Sequence, residues 1–270
     1  ESDQFARELT AALKRPEGTM TLRPIQARAL YDAGTVNGLL GPIGVGQGKT
    51  LISALIPDVL LSRRPMLVTR ANLIPKTKRD FYELARHWPV PNFIRIVSYE
   101  ILGRSGHAAL LDNYEPDCLV LDEAHKARNL KAAVTKRIVR FVGRHPNTAV
   151  FPISGTITKR SLKDYAHLIQ WALKAANAPV PDRFSELEDW AEVLDERPMS
   201  QGSRQVQVGA LSYLCSPEER VDPDPVSAVR RAFRRRLVET PGVVASEESA
   251  LGCSLMISAL ETAVSPVVDA

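Results

Sequence analysis

Cysteine is scarce: three in 270 residues, Cys118, Cys215 and Cys253. They show no metal-ligand spacing and cannot all pair, which excludes a disulfide-stapled miniprotein and a cysteine-rich zinc site. They read as packing residues in a reducing compartment. Long apolar runs are missing too. None approaches the roughly 20 residues that span a bilayer, and the opening ESDQFARELT is a polar amphipathic segment without a signal-peptide core, so a cytoplasmic protein with no membrane partner is expected. Neither sign of charge dominates: 35 basic against 31 acidic residues leave +4, too little by itself to announce a nucleic-acid partner. Aromatics make up 6%, which argues against a surface that holds its ligand by base stacking. There is no solenoid-length repeat and no low-complexity tract. The chain begins at Glu1, as a processed product or an excised segment does.

The hydrophobic fraction of 44% is ordinary for a soluble globular chain with one or two domains. From Val36 to Ile153 short apolar runs alternate with helical patterns, the arrangement of a parallel sheet covered by helices on both faces, and the fold class is α/β. The expected strands are Gly38 to Leu40, Met66 to Thr69, Phe93 to Ser98, Cys118 to Leu121 and Thr148 to Ile153. Helical spacing marks Lys49 to Leu61, Ile74 to His87 and Leu130 to Val142. After Gly155 the pattern turns helical, with Leu162, Tyr165, Leu168, Ile169 and Leu173 on one face and a further helix over Phe184 to Leu194. Residues 1–197 are expected to form the main domain. Residues 198–270 read as a loop-rich connection to Asp224, a basic helix Val226 to Leu237, a Pro241-Gly242 turn and a strand-like Leu255 to Leu260. Two basic clusters stand out, five arginines within Arg230 to Arg236 and the group Arg63, Arg64, Arg70, Lys76, Lys78 and Arg79. For each, a solvated helix face and a phosphate-contacting surface are open readings.

The sharpest local signal is Gly44-Val45-Gly46-Gln47-Gly48-Lys49-Thr50, set between an apolar run and an amphipathic helix. Glycines let several amides point at one anion, and the helix N-terminus adds positive potential. Lys49 is placed to reach β and γ phosphates and the Thr50 hydroxyl to ligate magnesium. The strict phosphate-loop motif puts its first glycine where this chain has Ile43. The second signal is CLVLDEAH, Cys118 to His125, a buried strand running directly into two carboxylates. In phosphate-loop ATPases a strand beside the loop delivers an acid to the metal, so Asp122 is expected to hold Mg2+, Glu123 to orient and deprotonate the attacking water, and His125 to sense the γ phosphate.

With both motifs in hand the chain resembles the first RecA-like domain of a superfamily 2 helicase, nearest the DEAH-containing translocases of the chromatin-remodelling type and their phage and bacterial relatives, over about residues 20 to 240. The resemblance implies a RecA-like fold with a helical and loop extension, ATP and Mg2+ as ligands, and a cytoplasm that is bacterial or phage-infected. In TLRPIQARAL it implies that Gln26 reads the adenine edge. In MLVTRANL it assigns Thr69 and Arg70 to a nucleic-acid backbone, with Lys76 and Lys78 nearby, and in IVSYEIL it adds Ser98 and Tyr99, where a tyrosine simply buried at a strand edge is an equally open reading. In FPISGTITKRSL it makes Ser154 and Thr156 the link between γ-phosphate state and domain movement, although this chain has Ile157 where the remodelling proteins continue with proline. RRRLVETPGVV, Arg234 to Val244, is similar to the segment leading toward a second RecA-like domain, which would supply an arginine finger and the other half of the ATP cleft. Duplex DNA is the expected track, since contact loops rich in Arg, Lys, Thr and Ser suit a phosphate backbone. Two further readings stay open: a nucleotide-gated binding or scaffold module without motor activity, and the motor portion of a restriction or defence complex.

Overall fold

The structure is a computed structural model that describes residues 2–157, 161–195 and 208–246. The expected strand Leu255 to Leu260 and Cys253 lie outside the described residues. In chain order the elements are α1 Ser2–Leu13, α2 Pro24–Val36, α3 Lys49–Val59, β1 Pro65–Thr69, α4 Ile74–Leu84, β2 Arg95–Ser98, α5 Tyr99–Gly103 and α6 Leu110–Tyr114, followed by β3 Cys118–Asp122, α7 Ala133–Arg144, β4 Ala149–Ile153, α8 Leu162–Leu173, α9 Phe184–Leu194 and α10 Pro225–Glu239. The four strands form one parallel sheet in the order β2-β1-β3-β4. β1 and β4 are buried along their whole length, which is why they read as unbroken apolar runs rather than as alternating ones.

The pleat sends successive side chains to opposite faces, and each face has its own core. Met66, Val68, Leu119, Leu121 and Val150 pack under α5, α7, α8, α9 and α10. Leu67, Cys118, Val120, Phe151 and Ile153 pack under α1, α2, α3 and α4. Helices therefore cover both faces, as the alternating pattern predicted, and Cys118 and Cys215 are buried free thiols.

Gly38 to Leu40 is too short to form a ladder strand. Its extension instead makes single bridges, Leu40 to Val243 on one side and Gly41 to Ile153 on the other. The hydrogen bonds Gly41 N to Pro152 O at 2.8 Å and Leu40 N to Gly242 O at 2.8 Å hold it there. One consequence corrects the sequence reading: β4 lies between the acidic strand β3 and the segment that enters the glycine loop, so the two motifs face each other across one intervening strand.

Residues 208–246 share the core beneath the sheet, through Leu211, Leu214, Ala228, Phe233, Leu237 and Val243, so the core shows no break at the expected boundary of 197/198. The basic helix α10 spends its arginines internally. Arg230 donates to the carbonyls of Val193 at 3.0 Å and Asp195 at 2.6 Å, Arg231 pairs with Asp222, Arg235 pairs with Glu219, and Arg236 lies over the Tyr213 ring. The second basic cluster is divided by the sheet. Arg63 and Arg64 precede β1, where their amides donate to the Asp117 carboxylate, whereas Arg70 follows β1, about 20 Å from Arg64 at 3.3 Å per residue. Among the described residues no helix is long and apolar enough to cross a membrane.

Candidate functional site

Gly46 and Gly48 make the turn of the loop. Both have φ 79°, a left-handed conformation that strains any residue with a Cβ. At Gly48 a Cβ would also come within 2.0 Å of the Gln26 amide nitrogen. Position 43 needs no glycine, because its backbone is not left-handed and Ile43 is fully buried beneath the loop. That explains the departure from the strict motif. The loop is braced from outside by residues that the motif does not contain. The Arg23 guanidinium donates to the Gly46 carbonyl at 2.7 Å, and the Gly44 amide donates to Ser246 Oγ at 3.0 Å. Ser246 has no local signal in the sequence, since 202 residues separate it from Gly44.

Gln26 is buried, its amide oxygen accepting from the Arg23 backbone at 2.9 Å and its nitrogen donating to the Gln47 carbonyl at 3.3 Å. Expected to read an adenine edge, it bonds to the protein's own backbone at both ends and lines a cavity of about 650 Å³ together with Arg23, Gly48 and Thr50. Val45 is 91% exposed, so its backbone rather than its side chain serves the loop. Gln47 lines a wide groove of about 850 Å³ with Phe5, Pro24, Ile25, Arg28 and Tyr31.

Lys49 and Thr50 begin α3 and open, with Gly46 and Gly48, onto a cavity of about 400 Å³ whose opposite wall carries Asp122 and Glu123. Lys49 Nζ donates to the Gly44 carbonyl at 2.9 Å, across its own loop. Asp122 is tied at both its polar ends: the Thr69 hydroxyl donates to its carboxylate at 2.8 Å, and the Tyr99 hydroxyl donates to its backbone carbonyl at 2.8 Å. Burial pushes the Asp122 carboxyl above the usual carboxylate range, and the charge of Glu123 adds to this, while the Thr69 hydrogen bond and the charge of Lys49 work against it.

Glu123 leaves the strand with φ 54° and ψ 47°, a strained conformation for a residue with a side chain, of the kind found at functional sites. Its carboxylate lies 3.2 Å from His125 Nδ1 and accepts from Ser154 Oγ at 3.4 Å. Ser154, fully buried, also lies 3.0 Å from His125 Nδ1 and 3.3 Å from Thr156 Oγ1. A serine hydroxyl donates one proton and accepts through its lone pairs, so Ser154 can donate to Glu123 while accepting from the Thr156 hydroxyl and amide. Burial pushes the His125 imidazole below its ordinary value, with Glu123 opposing and Lys126, Arg128 and Arg70 reinforcing.

Three residues expected on a nucleic-acid backbone are enclosed. Thr69 is fully buried and spends its hydroxyl on Asp122. Ser98 is buried and caps α5 by accepting from the Ile101 amide at 3.1 Å. Tyr99 is buried on the Asp122 carbonyl, and burial, with the charges of Asp122 and Glu123, holds its phenol well above the usual range. In the folded chain Thr69 and Tyr99 support the acidic motif, while Ser98 serves the start of α5. Of the cations, Lys76 lines the phosphate-loop cavity, whereas Lys78 is exposed on α4 away from its walls. Arg70 is exposed where β1 ends, beside the Ala71 amide that donates to Glu100 at 3.0 Å. Lys126 and Arg128, which motif reading did not single out, join it around His125.

No known protein family matches the chain, and no curated protein matches it.

Proposed function

We propose that this chain is the ATP-binding domain of an ATP-dependent DNA helicase or translocase of the superfamily 2 kind, working along the phosphate backbone of duplex DNA. What supports the reading above all is one cavity in which a glycine loop with Lys49 and Thr50 faces Asp122 and Glu123 at the C-terminal edge of the sheet, the edge where open α/β sheets bind ligands.

In this reading the loop amides and the N-terminus of α3 receive the β and γ phosphates, and Lys49 exchanges the Gly44 carbonyl for phosphate oxygens. The base extends along the groove beside Gln47. Thr50 and Asp122 would hold Mg2+, which when bound supplies positive charge to the phosphate oxygens. The donor set suits it, since magnesium is commonly held by one or two protein oxygens together with phosphates and water. Asp122 presents such an oxygen from a carboxylate that Thr69 holds in place. Glu123 orients a water and takes its proton as the water oxygen bonds to the γ phosphorus. The bond from that phosphorus to the bridging oxygen breaks, leaving ADP and phosphate. In the resting arrangement His125 and Ser154 hold the Glu123 carboxylate, so catalysis requires them to release it, and Ser154 and Thr156 carry that change toward the rest of the domain.

DNA is placed against Arg70, Lys126 and Arg128, where the ends of β1 and β3 present cations next to the γ-phosphate side of the site. A second RecA-like domain closing over the cavity is part of the proposal, because an arginine brought in from outside is worth about 10³–10⁵ in turnover for nucleotide hydrolases. In the complete enzyme Glu123→Gln is expected to keep ATP binding and lower DNA-stimulated hydrolysis by about 10²–10⁴. Turnover that stays at the parent level would exclude Glu123 as the base.

A further inference from the structure

Helix α4 was expected to serve a nucleic-acid track with both of its lysines, yet its inner face belongs to the nucleotide cavity. Leu73, Lys76, Thr77 and Asp80 line the same space as Lys49, Thr50, Asp122 and Glu123. The reason is topological. α3 and α4 both precede strands of the sheet on the same face and pack together on one core, so their first turns open side by side at the strand ends. Residues 76 and 80, one helical turn apart, share a face, while Lys78 lies about 200° around the helix from Lys76 at 100° per residue.

On that inner face the polar groups differ in what they are free to do. The Thr77 hydroxyl is committed, donating to the Leu73 carbonyl at 2.9 Å. Lys49 is engaged with the Gly44 carbonyl at 2.9 Å. Lys76 is exposed and has no hydrogen bond or ion pair among the described residues. The cavity walls also hold three carboxylates, Asp80, Asp122 and Glu123, against two ammonium groups. A nucleoside triphosphate with its magnesium carries about two negative charges, so walls with Lys49 as their sole cation would repel the tail they are shaped to hold.

We propose that Lys76 is a second phosphate-binding cation of this site, reaching the terminal phosphate and so favouring a nucleoside triphosphate over the diphosphate. The assignment rests on the ATP reading of the same cavity. Lys49 crosses its own loop to the Gly44 carbonyl, whereas Lys76 reaches the same cavity from α4 with no partner among the described residues, and a second cation matters more to the triphosphate because it carries one more negative charge than the diphosphate. A charge-assisted hydrogen bond from an ammonium to a phosphate oxygen is among the stronger polar contacts. Because only the turn Ala71–Leu73 separates Arg70 from α4, occupancy of the site by triphosphate would also bear on the element that adjoins the proposed track.

The test is calorimetric titration of Mg·ATP and Mg·ADP into this chain and its variants. Lys76→Ala should weaken ATP binding about tenfold and ADP binding less than about twofold. Lys76→Arg, which keeps the charge, should recover most of the loss. Lys78→Ala should change neither affinity. An unchanged ratio of ATP to ADP affinity in Lys76→Ala, or an equal loss for both nucleotides, would overturn the assignment. Lys49→Ala separates this from the parent reading: if that variant binds ATP as the parent does, the glycine loop is not the phosphate site and both proposals fall, whereas weakened binding in Lys49→Ala with no effect at position 76 removes the Lys76 assignment alone.

Discussion

His167 of α8 lies 2.8 Å through Nε2 from the Ala127 carbonyl, just past the acidic motif. A carbonyl can only accept, so Nε2 carries the proton, and Nδ1 is left buried without a hydrogen-bond partner. Burial pushes this imidazole below its ordinary value, while the Ala127 contact and the charge of Asp164 oppose the shift. The folded chain therefore holds a proton at His167 less readily than the unfolded chain does. The stability linked to it is fully present above about pH 6.5 and is lost as pH falls below that value, and His125 contributes in the same direction. His167→Gln keeps an amide donor for the carbonyl but does not titrate. Urea midpoints taken from about pH 8 to about pH 5 should fall less steeply in this variant than in the parent. Equal slopes would mean that His167 is not protonated on unfolding in that range.

At the scale of the element, close packing between the glycine-loop segment and α8 makes a sharp test of the layered architecture. A Cβ at Gly38 would lie 1.8 Å from the Ala172 carbonyl oxygen, while at Gly143 in α7 it would meet nothing within 4 Å. Gly38→Ala should therefore cost more than about 2 kcal/mol, because backbone must move away from backbone. Gly143→Ala should gain up to about 1 kcal/mol from helix propensity, and denaturant unfolding of the two variants would show shifts of opposite sign. A neutral Gly38→Ala would mean that the segment and α8 are not packed as described. Elements whose character is written in adjacent residues could be read from sequence. β1, β3 and β4 are continuous apolar runs because both faces of the sheet are covered, and α8 and α9 repeat apolar residues at helical spacing. What depends on distant partners could not. Gly38 to Leu40 is extended through bridges to β4 and to Val243 rather than through a ladder of its own, and β2 starts only at Arg95, since Phe93 is 54% exposed. The glycine turn and the strand that ends in two carboxylates could be read because each is written in adjacent residues. The hydrogen-bond partners of Thr69, Tyr99 and Gln26 could not, because each hydroxyl or amide finds a partner on another element.

Taken as one molecule, the domain sets Asp122 and Glu123 on the cavity, with half-buried His125 and buried Ser154 behind Glu123 and the cations Arg70, Lys126 and Arg128 around His125. If these cations follow a phosphate backbone, DNA affinity should fall as salt rises, and replacing both Arg70 and Lys126 by alanine should lower the logarithmic salt slope by about 1.8, at about 0.9 per contact on duplex DNA. The loss should be similar for unrelated sequences, since phosphate contacts carry no base information. Anisotropy titrations at several salt concentrations that give one slope for parent and double variant would remove these cations from the track. The central claim is narrower and lies upstream of DNA: the cavity between Lys49 and Asp122 is an ATP site. Calorimetric titration of Mg·ATP into this chain tests it directly. Saturable binding that weakens by about a hundredfold in Lys49→Ala, from loss of the mobile charge on the phosphates, is the predicted result, and either no binding by the parent or the same affinity in a folded Lys49→Ala variant would contradict it.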